Sequence, residues 1–399
     1  MFFKLLKDAL KVKNVRNKIL FTIFIIFVFR VGTHVTVPGI NAESLKQLSD
    51  LPFLNMLNLV SGNAMNNFSI FSMGVSPYIT ASIIVQLLQM DIYPKFVEWG
   101  KQGEVGRRKL NQATRYITLV LAFVQSIGIT ASFNTLSSIS LVKTPNISTY
   151  LLIGSILTAG SIIVTWLGEQ ITDKGFGNGV SMIIFSGIIA SIPKMFSTIY
   201  EDFFVNVRTG DLTRSYIIVA LLIVVGLAIV FFTTFVQQAE YQIPIQYTKL
   251  VQGAPTSSYL PLKVNPAGVI PVIFASSITT IPSTILPFFS KVTWLSHLQG
   301  LLSYNTPSGM IIYAILIILF SFFYTFVQVN PEKTAEYLQK NGSYIPSVRP
   351  GRETEKYMSS LLKRLATIGA VFLAFISLAP IAAQQFMHLT SSIALGGTS

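Results

Sequence analysis

No cysteine occurs in the chain, which excludes disulfides and thiolate metal sites and leaves the compartment open. Charge is scarce as well. Asp, Glu, Lys and Arg make up 11% of residues, against about a quarter in soluble domains, while 51% are hydrophobic. With a mean hydropathy of +0.60, the chain is not an ordinary soluble globular protein. The three histidines, His34, His297 and His388, are too scattered for metal-ligand spacing. The glycine-bearing run GKQGEVGRRK (Gly100–Lys109) lacks the Lys-Ser/Thr ending and the strand–helix setting of a phosphate loop. No Ser/His/Asp set and no paired carboxylates sit in one place. The chain therefore reads as no enzyme, without cofactor or metal, and any ATP chemistry belongs to a partner.

What the chain does have is nine long apolar stretches, at roughly 19–35, 69–90, 116–135, 149–167, 180–199, 215–235, 267–290, 309–328 and 366–386. They read as membrane-spanning helices. Their interiors carry no Lys, Arg, Asp, Glu or His apart from Arg30, with Lys194 toward the end of the fifth. A pump or ion-coupled carrier usually keeps a titratable group at membrane depth. Here amides and hydroxyls occupy that depth. The second stretch is interrupted by Gly74 and Pro77, the seventh by Gly268 and Pro271. In a chain of two five-span halves these positions correspond, and paired interruptions mark the functional path.

The net charge of +13 is unevenly placed. Basic residues crowd residues 1–18 (Lys4, Lys7, Lys11, Lys13, Arg16, Lys18), then 95–115, then 333–364, with Lys174, Lys249 and Lys263 between. With the N-terminus inside, these segments all face the cytoplasm, as the positive-inside rule expects. The charge then needs no DNA or other nucleic acid to explain it. Residues 2–11 alternate Phe and Leu with Lys at helical spacing, which suits a helix lying on anionic lipids; a frayed basic tail is the alternative. No small-x-small cleavage site follows the first apolar run, so that run is expected to be an uncleaved span.

Phe53–Phe68 is apolar yet holds Asn55, Asn58, Asn63, Asn66 and Asn67, and Gly62 breaks it. As a helix it spans about 24 Å, short of a hydrocarbon core of about 30 Å. Amides cannot face lipid unpaired, so the segment is sheltered in protein or in a water-filled cavity. Two readings stay open: a re-entrant helix closing a passage from the outside, and an ordinary extracytoplasmic loop helix.

Several runs resemble one family over nearly the whole chain: FSIFSMGVSPYITASIIVQLL (Phe68–Leu88), GEVGRRKLNQATRY (Gly103–Tyr116), WLGEQITDKGFGNGVSMIIFSG (Trp166–Gly187), LPLKVNPAGVIPVIFASS (Leu260–Ser277) and YIPSVRPGRETEKY (Tyr344–Tyr357). They are similar to the SecY/Sec61-alpha family, whose bacterial members form the centre of the Sec protein-conducting channel. The resemblance implies an all-α polytopic membrane protein, with two pseudo-symmetric five-helix halves in inverted repeat around a central pore. The halves would be residues 19–199 and 200–399. It implies a pore ring of Val75, Ile79, Ile184 and Ile273; spacing alone favours plain lipid-facing or core aliphatics, and only the motif match reverses that reading. Residues 53–67, with the asparagines and Gly62, would be the plug. Gln86, Gln125 and Asn265 would lie at a lateral gate between spans 2–3 and 7–8, or serve as plain helix–helix contacts. Segments 236–266 and 329–365 would dock the SecA motor and the ribosome through Arg349, Lys249 and Arg352. Where many relatives carry further basic residues in the first segment, this chain has Tyr241 and Lys249-Leu250.

The implied partners are SecE and SecG in the membrane, SecA, the ribosome, and secretory preproteins with signal sequences. The implied location is the bacterial plasma membrane. The family has ten spans, so the nine seen here point to a truncated chain. Two other classes remain open on residues alone: a secondary transporter with inverted repeats, which the uncharged span interiors count against, and an insertase or scaffold without its own pore.

Overall fold

Each of the nine apolar stretches overlaps an α-helix in the computed structural model, which describes residues 11–41, 61, 64–89, 93–136, 142, 145–205, 212–247, 257–285, 301 and 306–387. In chain order the first-half helices are α1 (Lys13–Gly32), α2 (Ser76–Leu87), α3 (Pro94–Lys101), α4 (Gly103–Leu136), α5 (Ile147–Lys174) and α6 (Gly179–Tyr200). The rest of the chain supplies α7 (Leu212–Gln238), β1 (Glu240–Tyr247), β2 (Ser257–Lys263), α8 (Ile270–Ile285), α9 (Pro307–Gln328), α10 (Pro331–Lys340), β3 (Ser343–Tyr344) and α11 (Arg352–Met387). Segments of α4, α5, α7 and α11, and one that begins in α9, are long and apolar enough to cross a membrane; α2, α6 and α8 hold shorter apolar segments. The chain is a multi-pass, mainly helical membrane protein.

Packing follows chain order within each half. Helix α4 lies on α2 and α5, and α5 also meets α1 and α6; α9 lies between α8 and α11. Helix α8 crosses to touch both α2 and α4, which joins the halves. In lipid there is little hydrophobic drive between helices, so small residues and polar contacts hold such seams. The ion pair of Arg115 with Glu169, with Nε to Oε1 at 3.1 Å, fastens α4 to α5. Helix α7 is the exception: its apolar side chains are exposed on nearly every face, which hydrocarbon tolerates and water would not.

One end of the bundle carries a three-stranded antiparallel sheet in the order β2-β1-β3. The run Glu240–Tyr247 (EYQIPIQY) alternates, so Ile243 and Ile245 turn inward while Gln242, Pro244 and Gln246 stay exposed. Beneath the sheet, Ile243 and Leu262 meet Leu338 of α10 and Met358 and Leu362 of α11 in one buried cluster. The Tyr344 hydroxyl donates to Gln246 Oε1 at 2.9 Å. The segments 236–266 and 329–365, expected as two loops, thus form one folded unit. Burial of each aliphatic side chain from water contributes about 1.5 to 3 kcal/mol, which is what holds a small sheet outside the bilayer.

Candidate functional site

The interrupted spans do not start as helices. Residues 69–75 form successive turns, and α2 begins only at Ser76 with Pro77 in its first turn. The Gly74 amide donates to the Phe71 carbonyl at 2.8 Å, and Gly74 sits at φ +53°. Ahead of α8 the Gly268 amide donates to the Asn265 carbonyl at 3.3 Å, with Gly268 at φ +60°. Glycine is needed at both points because a Cβ disfavours left-handed backbone. Proline follows three positions later in each case, where its missing amide would have no helical partner anyway.

The first helical bond is also matched. Ile79 donates its amide to Val75 O at 3.0 Å, and Ile273 donates to Val269 O at 3.3 Å. Ile79 and Ile273 therefore stand at the same offset from their glycines. This local pseudo-symmetry places both side chains one turn into their helices. Val75 and Ile79 are buried, and Ile184 of α6 and Ile273 are half-buried against the same apolar cluster. The four residues expected in the ring thus belong to one large apolar cluster.

A broken helix frees carbonyls that lipid cannot satisfy. In the second half Asn265, 4% exposed, donates its own Nδ2 to Gly268 O at 3.0 Å. The first-half turn has Phe71 where the other has Asn265, and a phenyl ring offers no donor. Phe71 is buried and stacks on Phe29 of α1, with centroids 5.9 Å apart. The Gly74 carbonyl accepts instead from Ser161 Oγ of α5, at 3.0 Å. Beside it, a Cβ on Gly160 would stand 1.8 Å from the Ile70 carbonyl oxygen, so only glycine lets α5 come this close.

The other expected residues are placed as follows. Gln86 of α2 is half-buried and donates Nε2 to Ser82 Oγ at 3.2 Å, while its Oε1 is buried with no hydrogen-bond partner. Gln125 is half-buried on α4. Asn265 serves the turn described above, against α11 at Gly369. Of the plug residues, Asn66 and Asn67 end a 3-10 turn (Met65–Asn67), Asn66 half-buried and Asn67 exposed. Asn55, Asn58, Gly62 and Asn63, Lys249, and the basic helix expected at 2–10 lie outside the described residues. The chain just after Asn67 is fastened: Phe68, buried at φ +42°, accepts at its carbonyl from the Val37 amide, and Ile70 donates to Val35 O. Arg349 and Arg352 are exposed; Arg349 O accepts from Thr354 Oγ1 at 2.9 Å, just ahead of α11. Arg30, the one charge inside the first span, donates to the Ser186 carbonyl, two residues beyond Ile184.

Sequence reasoning missed Ser161, Gly160 and the Arg30–Ser186 tie. The signal for Arg30 was there, since a charge at membrane depth needs a partner. Nothing in one sequence distinguishes Ser161 from its neighbours. No group of three or more His, Cys, Asp or Glu is placed to hold a metal among the described residues.

Residues 69–399 match the SecY family model. The chain is 70% identical to the protein translocase subunit SecY of Streptococcus gordonii, covering all of this chain and 92% of that one. It is 49% identical to the protein translocase subunit SecY of Bacillus subtilis, covering all of this chain and 93% of the relative. Among solved structures, one described as the structure of a protein conducting channel superposes with a TM-score of 0.67 at 14% identity, over 95% of this chain and 88% of that one. Sec61 in a canine ribosome–channel complex gives a TM-score of 0.60 at 13% identity, over 95% and 88%. At these identities the structural likeness speaks for the fold.

Proposed function

This chain belongs to the SecY family, and on that premise we propose that it is the channel subunit through which unfolded secretory proteins cross the bacterial plasma membrane, releasing hydrophobic segments sideways into the bilayer. One observation supports the reading: Val75, Ile79, Ile184 and Ile273 belong to one apolar cluster, in which the two matched helix breaks also lie. Branched aliphatic side chains at a constriction exclude water and ions by dewetting, and they offer a sliding chain no polar contact to hold it. The subunit is not an enzyme; energy for transport comes from outside it.

The two halves, residues 19–199 and 200–399, carry nine spans with the N-terminus in the cytoplasm. The segment 53–67 plugs the passage from outside, rooted by the bonds of Phe68 and Ile70 to residues 35–37. The lateral gate runs where α8 meets α2 and α4, with Gln86 and Gln125 as its polar contacts and Asn265 fixing the turn that starts α8. Amide contacts of this kind contribute about 0.6 to 2 kcal/mol each, weak enough for an apolar signal helix to displace. The sheet unit with Arg349 and Arg352 at its edge, together with Lys249, docks SecA and the ribosome; SecE and SecG complete the membrane complex. Anionic lipids hold the basic N-terminal segment.

A stalled preprotein carrying a photo-crosslinker tests this reading. Adducts are expected at Val75, Ile79, Ile184 and Ile273, and their absence from all four sinks the channel path. Arg349→Glu is expected to abolish motor-driven export with insertion of the subunit unchanged; full export by that variant removes the docking assignment.

A further inference from the structure

We propose that Ser161 is a positioning residue of the pore: its hydroxyl, reaching from α5 to the Gly74 carbonyl, holds Val75 in the constriction. The inference rests on the ring reading above. Three observations point to it. First, Ser161 differs from the three threonines nearest it in the α5 sequence. Thr158, Thr165 and Thr172 each donate to the carbonyl four residues back in α5, at 2.6, 2.9 and 3.1 Å. That is the ordinary resting place of a helical hydroxyl. Ser161, fully buried, instead donates across to another segment at 3.0 Å.

Second, the accepting carbonyl belongs to a left-handed glycine that immediately precedes Val75, where the turn gives way to helix. Rotation of that peptide unit swings Val75 directly. Third, α5 is brought to contact distance there by Gly160 against Ile70. The donor and the close approach are adjacent residues, so this face of α5 is shaped to the unwound segment. Loss of the bond leaves a buried carbonyl without its donor and frees the peptide to rotate.

The absence of cysteine from this chain gives a clean background for testing it in its membrane complex. A single Val75→Cys is expected to react slowly with a water-soluble maleimide, because Val75 is fully buried. Adding Ser161→Ala should raise that rate, and the resting ion conductance in planar bilayers, by about three- to tenfold, the range of one hydrogen bond. Ser161→Thr keeps the donor and should stay near the parent. Leu157→Cys, on the same helix and 1% exposed, should stay protected in either background, which a general loosening of α5 would not allow. Unchanged Val75→Cys labelling with Ser161→Ala overturns the proposal, as does equal acceleration at Leu157→Cys. Ile79→Asn serves as the separate control. If it raises conductance while Ser161→Ala changes neither readout, the clamp fails and the ring stands. If it leaves conductance unchanged, the ring reading fails, and the labelling result alone decides the clamp.

Discussion

Ahead of α2 the chain turns at Phe71–Gly74, and ahead of α8 it turns at Asn265–Gly268, each turn closing on a left-handed glycine. Proline and a buried-face isoleucine follow at equal offsets. The carbonyl that each break frees is satisfied by opposite means. Asn265 serves Gly268 from within the same turn, three residues away. Gly74 depends on Ser161, 87 positions along the chain, and on Gly160 to let that helix approach. The second-half break is self-contained; the first is held by its neighbour. Any displacement of α5 is therefore felt at Val75, whereas α8 keeps its own start.

Six substitutions would break or sharpen this contrast. The largest effect is expected from Gly160→Ala, whose Cβ meets backbone at 1.8 Å; a loss of about 3 kcal/mol should show in thermal unfolding of the purified complex. Gly268→Ala meets nothing within 4 Å and suffers only its left-handed φ, about 1 kcal/mol. Equal melting of these two variants would erase the asymmetry. Next come Ile79→Asn and Ile273→Asn, each expected to raise resting conductance by about tenfold or more through wetting of the constriction. A leak from one alone would mean the matched offsets are not matched in role. Asn265→Ala should lower stability by about 1 kcal/mol while leaving Val75→Cys labelling as it was. Coupled labelling would show that the second-half turn also governs the first. The smallest effect is expected from Arg115→Gln, which unties α4 from α5 at a solvated pair. Its cost of about 0.5 kcal/mol should vanish at high salt, and a salt-independent loss would indicate a larger part in seating the clamp.

Much of this was readable beforehand, and the reasons are specific. The long helices follow from long apolar runs, because in lipid a single segment satisfies its own backbone by forming a helix. Gly74 and Gly268 were visible as breaks, since glycine and proline act locally. Ile79 and Ile273 were singled out by motif likeness, not spacing, for aliphatics lie everywhere in this chain. The sheet was missed because alternation in Glu240–Tyr247 is short, and because β3 joins from a segment about 100 residues away. The role of Asn265 in its own turn was hidden by an assignment to the gate; the Asn-Pro-Ala-Gly order was the available clue.

By itself the order of residues determined a multi-pass helical chain, the position of both breaks and the left-handed glycines at them. These are consequences of transfer free energy and of backbone sterics, which act over a few residues. Only the tertiary structure decided that a serine on the fourth apolar stretch supports the second, that an arginine in the first reaches the fifth, and that two distant segments share one sheet. Each of those depends on which surfaces meet, and a single hydroxyl among many carries no mark of the carbonyl it will find.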